Sequence, residues 1–165
     1  MINSHAFPIN MKLLFCIGQF VSLLMCAACS QNGNNAANQI TEITLERVDS
    51  FSQLPNYKVT LRSDETVTYI GKAFAKKQGT HQGKLDKHYF YKLTKLIESQ
   101  GYFRMQDRYP EDVIISDGWD ATVRVTRGGK EKRVFDNAEE GPIELWGIEM
   151  AIDAAVDRVR WETEK

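Results

Sequence analysis

Residues 40–71 read ITEITLERVDSFSQLPNYKVTLRSDETVTYIG, and the period of two in this stretch decides the fold. Ile43 and Leu45 alternate with Glu42, Thr44 and Glu46, which predicts a strand over about 41–47. Tyr57, Val59 and Leu61 alternate with Lys58, Thr60 and Arg62, and Val67 and Tyr69 alternate with Thr66, Thr68 and Ile70. Successive side chains of a strand point to opposite faces, so this alternation marks strands with one face buried and one face wet. Ser63-Asp64-Glu65 reads as the hairpin turn between the last two, although Glu is a poor residue where a turn demands positive φ.

Downstream, a weaker fourth strand is expected around Thr80–Lys84. Asp86 can cap a helix over about 87–100, in which Tyr89, Leu93, Leu96, Ile97 and Gln100 fall at helical spacing. Gly101 stands where a left-handed C-terminal cap belongs, and Tyr102 and Phe103 then enter the core. Residues 106–120 have no clear period and read as a long loop. Ala121–Arg127 and Lys130–Asp136 form a second hairpin about Gly128-Gly129, with Val123, Val125 and Val134 on one face. Gly141-Pro142 opens a last helix with Pro at its first position, buried along Leu145, Ile148, Ile152, Ala155, Val156 and Val159 and flanked by Trp146 and Met150. The expected class is α+β: an antiparallel sheet of about five to six strands with two amphipathic helices on one face, in the order ββββ-α-ββ-α.

Upstream of the strands the composition changes. Residues 1–28 hold one basic residue, Lys12, and no acid, and Leu13 to Met25 is an apolar run broken only by Gly18, Gln19 and Ser22. That run is shorter than the roughly 20 residues of a membrane span and has the length of a signal-peptide core behind a positive end. Met11-Lys12 makes a more natural start than Met1. Ala27-Ala28-Cys29 resembles the lipobox of bacterial lipoproteins, with Cys26 where Leu is usual three positions before the acceptor. That resemblance implies cleavage before Cys29 and acylation of its sulfur and new amino group. Two or more acyl chains hold a protein stably on a bilayer.

Ser30 after the Cys implies sorting to the outer membrane, facing the periplasm, if the host is Gram-negative. Residues 29–39 then form a lipidated Cys with a polar, Asn-rich tether, and 40–165 a single domain. Ten residues of such coil reach roughly 17–19 Å, so the domain is expected just above the membrane.

The cysteines are Cys16, Cys26 and Cys29, so the folded part has no thiol nucleophile, redox pair or cysteine zinc site. With 21 Lys+Arg against 22 Asp+Glu in 165 residues, the chain lacks the basic excess that nucleic-acid binding needs.

The run from Ile43 to Gly71 is similar to the opening of a bacterial domain-of-unknown-function family. That family reads like E-R-x-x-C-F-G-x-C-P-x-Y-x-V-x-I followed by a G-D-G-T-V-x-Y-x-G hairpin. Glu46, Arg47, Phe51, Pro55, Tyr57, Val59, Asp64, Thr66, Val67, Tyr69 and Gly71 match. His81, Gly83 and Lys84, the following helix, Gly128-Gly129-Lys130 and the last helix look alike too, so the likeness covers about 40–162. Ser50 and Leu54 stand in place of the family's two cysteines, and Glu65 in place of the turn glycine. The resemblance implies a fold and no activity.

The chemistry-bearing residues are few. His81, His88 and Asp86 match no metal-ligand spacing, and Asp86 reads better as a helix cap. Asp107, Glu111, Asp112, Asp117 and Asp120 crowd the 106–120 loop with Arg104 and Arg108 at hand, which reads as a solvated segment rather than a calcium loop. The same loop carries Tyr109, Ile114, Ile115 and Trp119, and long loops with large apolar residues tend to be functional. Tyr109, Asp112, Asp117, Trp119 and Asp120 are therefore the candidate binding surface. No catalytic residue, cofactor or resident metal is assigned.

The leading reading is a lipid-anchored, non-enzymatic binding module of the cell envelope that meets an envelope protein or a wall component. The alternative is an envelope hydrolase or metal-binding protein using the carboxylates of residues 107–120.

Overall fold

β1 (Ile40–Val48) pairs antiparallel with β2 (Tyr57–Arg62), setting Ile43 opposite Leu61 and Leu45 opposite Val59 in the computed structural model of the protein. The structure describes residues 38–49, 54–116 and 118–162. The expected leader over 1–28, Cys29, the tether up to residue 37, Ser50 and Asp117 lie outside the described residues.

β2 turns into β3 (Thr66–Gly71), and β3 pairs with β4 (Gly79–Lys84), so the register carries one buried face across four strands. The β2–β3 turn places Glu65 at φ +74°, the positive angle for which Glu is ill suited. At the far end of β3, Gly71 has to be Gly: a Cβ there would lie 1.7 Å from the Lys77 carbonyl oxygen, because the 72–78 segment folds back onto the strand.

Asp86 caps α1 (Lys87–Ser99) by accepting from the His88 N–H at 2.8 Å, and Gly101 follows at φ +71°. α1 buries Phe90, Leu93 and Ile97. A 3-10 turn over Tyr102–Arg104 sinks Tyr102 into the core, its hydroxyl 2.9 Å from the Val123 carbonyl oxygen. β6 (Asp120–Arg127) and β7 (Lys130–Asn137) form the second hairpin about Gly128-Gly129, and β6 pairs with β1 on the side away from β2. α2 (Ile143–Val156) buries Leu145, Ile148, Glu149, Ile152 and Ala155. Both helices join one apolar cluster with Ile43, Leu45, Val59, Leu61, Val67, Val123, Val125 and Val134, so both cover the same face of the sheet. Fully burying each such aliphatic side chain contributes about 1.5–3 kcal/mol.

The expected antiparallel sheet of five to six strands is corrected in three respects. The sheet has eight strands, the six above with β5 (Arg108–Tyr109) and β8 (Arg160–Trp161), in the order β5-β7-β6-β1-β2-β3-β4-β8. It is mixed, because β5 (Arg108–Tyr109), inside the segment expected to be loop, runs parallel to β7. β8 (Arg160–Trp161), after α2, adds to β4 at the opposite edge, so the order is ββββ-α-βββ-α-β. Two residues are too few to show a period, so neither edge strand leaves a signal in the sequence. Pro142 is the N-cap of α2 rather than its first helical residue, and the helix stops at Val156, leaving Val159 buried beyond its end. No helix among the described residues is long and apolar enough to cross a membrane.

Candidate functional site

The strand parity that buries Ile43 and Leu45 also buries Arg47, two residues further on. Arg47 is 1% exposed. In register it lies between Ala121 of β6 and Tyr57 of β2, with Asp136 of β7 beyond Ala121. Above it passes α2, whose Glu149 and Asp153 are four residues apart and therefore on one side of the helix.

Each guanidinium nitrogen is engaged. Its Nη1 donates to Glu149 Oε2 at 2.9 Å and its Nη2 to Asp153 Oδ2 at 2.8 Å. Its Nε lies 3.1 Å from the Tyr57 hydroxyl and 3.2 Å from Asp153 Oδ2. The Tyr57 hydroxyl in turn donates to Asp153 Oδ1. The plane of the Trp119 ring supports the cation at 4.2 Å.

Three carboxylates, Glu149, Asp153 and Asp136, surround this one cation, and burial raises two of them, Glu149 and Asp136. Burial holds Glu149 up to about 7, with Arg47 opposing the shift and Asp136 and Asp153 adding to it. Glu149 Oε1 is buried without a hydrogen-bond partner among the described residues, as is Trp119 Nε1. Asp136 is also raised by burial, although it accepts from the Gly141 N–H at 2.9 Å. Tyr57 is pushed up by burial and by Asp153, so it stays a phenol. Burial alone would lower Arg47, but Asp153, Tyr57 and Glu149 outweigh it and keep the guanidinium charged.

Beside this network a cleft of about 420 Å³ opens, lined by Pro55, Tyr57, Tyr69, Lys76, Trp119, Asp153, Ala154, Val156 and Asp157. Its aromatic wall continues across the sheet: Tyr57 and Tyr69 stack with centroids 5.5 Å apart, and Tyr69 meets Trp161 edge-on at 5.8 Å. An apolar wall with a few placed polar groups is the make-up of small-ligand sites.

The structure scatters the residues singled out from the sequence. Trp119 lines the cleft and stacks on Arg47. Tyr109 lines a separate opening with Met105 and Pro142, its hydroxyl accepting from the Gln106 N–H at 3.0 Å. Asp112 is exposed, and Asp117 lies outside the described residues. Asp120, paired in register with Val48, accepts from Asn137 Nδ2 at 2.7 Å. The described loop carboxylates thus do not converge: Asp107 pairs with Lys132, and Glu111 is exposed. Asp86 is spent on its helix cap, and the His81 ring bonds to the Gln78 carbonyl oxygen at 2.8 Å. Among the described residues no group of three His, Cys, Asp or Glu could hold a metal ion.

Arg47, Tyr57, Glu149 and Asp153 were missed as site residues. The signals were the parity of Arg47 with Ile43 and Leu45, and the place of Glu149 within the Leu145, Ile148, Ile152 stripe.

Buried Asn137 holds Trp119's loop in place. Its amide accepts from the Ile115 N–H at 2.6 Å and donates to the Ile115 carbonyl at 2.9 Å and to Asp120. Ile114 beside it stands 72% exposed, so the loop is anchored by this amide more than by apolar packing. Asn137→Ala is expected to destabilise the domain by about 1–3 kcal/mol. Limited proteolysis should then cut within residues 106–118 several times faster than in the parent.

A family described as a domain of unknown function, DUF6438, matches residues 41–156. No curated protein matches the chain.

Proposed function

The chain belongs to the DUF6438 family, and we propose that it is a non-enzymatic binding module, held to a cell-envelope membrane by an acylated Cys29, whose ligand enters the cleft over Arg47. The observation that carries the reading is the pinned wall of the cleft. Trp119, Tyr57 and Asp153 are each fixed by Arg47, which is itself dry and bonded at every nitrogen. Walls fixed before binding reduce the ordering cost of capturing a ligand. The lipobox-like Ala27-Ala28-Cys29 and the polar tether support placement at a membrane, with an envelope protein or wall component within reach.

Ala154 lines the cleft on the exposed side of α2, borders a second hollow against α1 beside Tyr89 and Leu96, and takes no part in the network, so Ala154→Trp obstructs the opening while sparing the core. The full-length protein should cosediment with cell-wall sacculi or be retained by detergent-solubilised envelope protein. Ala154→Trp should reduce that retention at least tenfold with little change in melting temperature. Equal retention of parent and variant would remove the cleft from the account. Mass spectrometry of the mature N-terminus tests the anchor independently: a tri- or diacylated Cys29 is expected, and an unmodified residue there would refute it.

A further inference from the structure

We infer that the cleft takes an organic cation, the ammonium group of an amine-bearing ligand, held between the aromatic wall and the carboxylates at the mouth. This rests on the cleft being the binding site.

The charges at the opening favour a positive ligand. Asp153 and Asp157 line it against a single cation, Lys76. Arg47 adds nothing for an anion, since it is buried and its three nitrogens already donate to Tyr57, Glu149 and Asp153. Asp157 is exposed and can reach a ligand at the mouth, while Asp153, already shared by Arg47 and Tyr57, keeps 30% side-chain exposure and adds its field there.

The walls agree with the charges. Ring faces carry negative charge and attract cations, most strongly where water is excluded. This molecule seats its own cations on the same aromatic row: Arg47 lies 4.2 Å over Trp119, and Lys77 lies 5.5 Å over Trp161. Between those two occupied positions stand Tyr57 and Tyr69, stacked on each other; Tyr69 is 6% exposed, so the half-buried Tyr57 presents the ring to the cleft, and neither has a cation stacked on it among the described residues. An anion would meet two carboxylates and ring faces of the wrong sign. A neutral sugar could use the rings but would leave the acidic excess uncompensated.

The test is an NMR-followed titration of the purified full-length protein in detergent. Three probes are used: Nα-acetyl-lysine methylamide, its Nε-acetylated analogue, and a neutral N-acetylglucosamine trimer. The lysine probe should bind, and acetylation of its amine should weaken binding at least tenfold. Asp157→Asn should weaken it about threefold, the size of an exposed charge pair, and Lys76→Gln should strengthen it by a similar factor. Equal binding of the two lysine probes, binding of the sugar trimer alone, or no binding of any probe would overturn the cation. Sugar binding that Ala154→Trp abolishes would still leave the cleft standing. Lysine binding unaffected by Ala154→Trp would sink cleft and cation together.

Discussion

Arg47→Met is expected to lower the stability of the domain by about 3–5 kcal/mol in urea or thermal unfolding, the cost of breaking a buried ion pair by removing one partner. Met fills part of the space, but Glu149, with a side chain 2% exposed, loses the only hydrogen bond that side chain makes among the described residues. Asp153 and Tyr57 lose their shared donor, and Trp119 loses the cation on its face. Adding Glu149→Leu to Arg47→Met should recover part of the loss, since the buried carboxyl left without a partner is then gone and an apolar pair packs nearly as well as an ionic one. A loss under about 1 kcal/mol for the single variant, typical of an exposed pair, would mean that Arg47 is not buried as described.

The second large effect is a dependence on pH. Glu149 stands at about 7 in the folded protein against an ordinary 4.5, so between these values the folded state binds more protons than the unfolded chain. Stability from this group is therefore fully present below about pH 4.5, declines as pH rises toward 7, and is flat above. The full span is on the order of 3 kcal/mol. Glu149→Gln keeps an acceptor for Arg47 and cannot ionise. Its stability relative to the parent should thus rise across the window, and at pH 8 the variant should be the more stable protein. Taking the difference between the two proteins cancels the distant acids, such as the exposed Asp64 and Asp107, which shift the opposite way. A difference that is level from pH 4.5 to 8 would show Glu149 titrating as an ordinary carboxylate.

Much of the frame was legible from local rules. The alternation of β1, β2 and β3, the Gly128-Gly129 hairpin, the Asp86 cap and the left-handed Gly101 each follow from the residues at hand. β5 and β8 were not legible, because each is two residues whose pairing depends on where an edge of the sheet lies in space. Of the binding surface read from the sequence, Trp119 alone lines the cleft, and its loop could be singled out by length and aromatic content without showing which way the ring turns.

The network escaped for a different reason. A Glu or an Arg in an amphipathic element reads by default as solvated, and its partner here stands a hundred residues away: Arg47 and Glu149 are 102 apart in the chain. Parity put both on the buried face. Only the crossing of α2 over β1 shows that each buries the other.

The centre of this account is a charged, dry arginine stacked on Trp119, and the guanidinium of Arg47 reports on it directly. In the NMR spectrum of the full-length protein, the Arg47 Nε–H should exchange with water far more slowly than those of exposed arginines and show cross-relaxation to the Trp119 ring. An Arg47 Nε–H that exchanges as fast as that of exposed Arg160, with no cross-peak to Trp119, would contradict it.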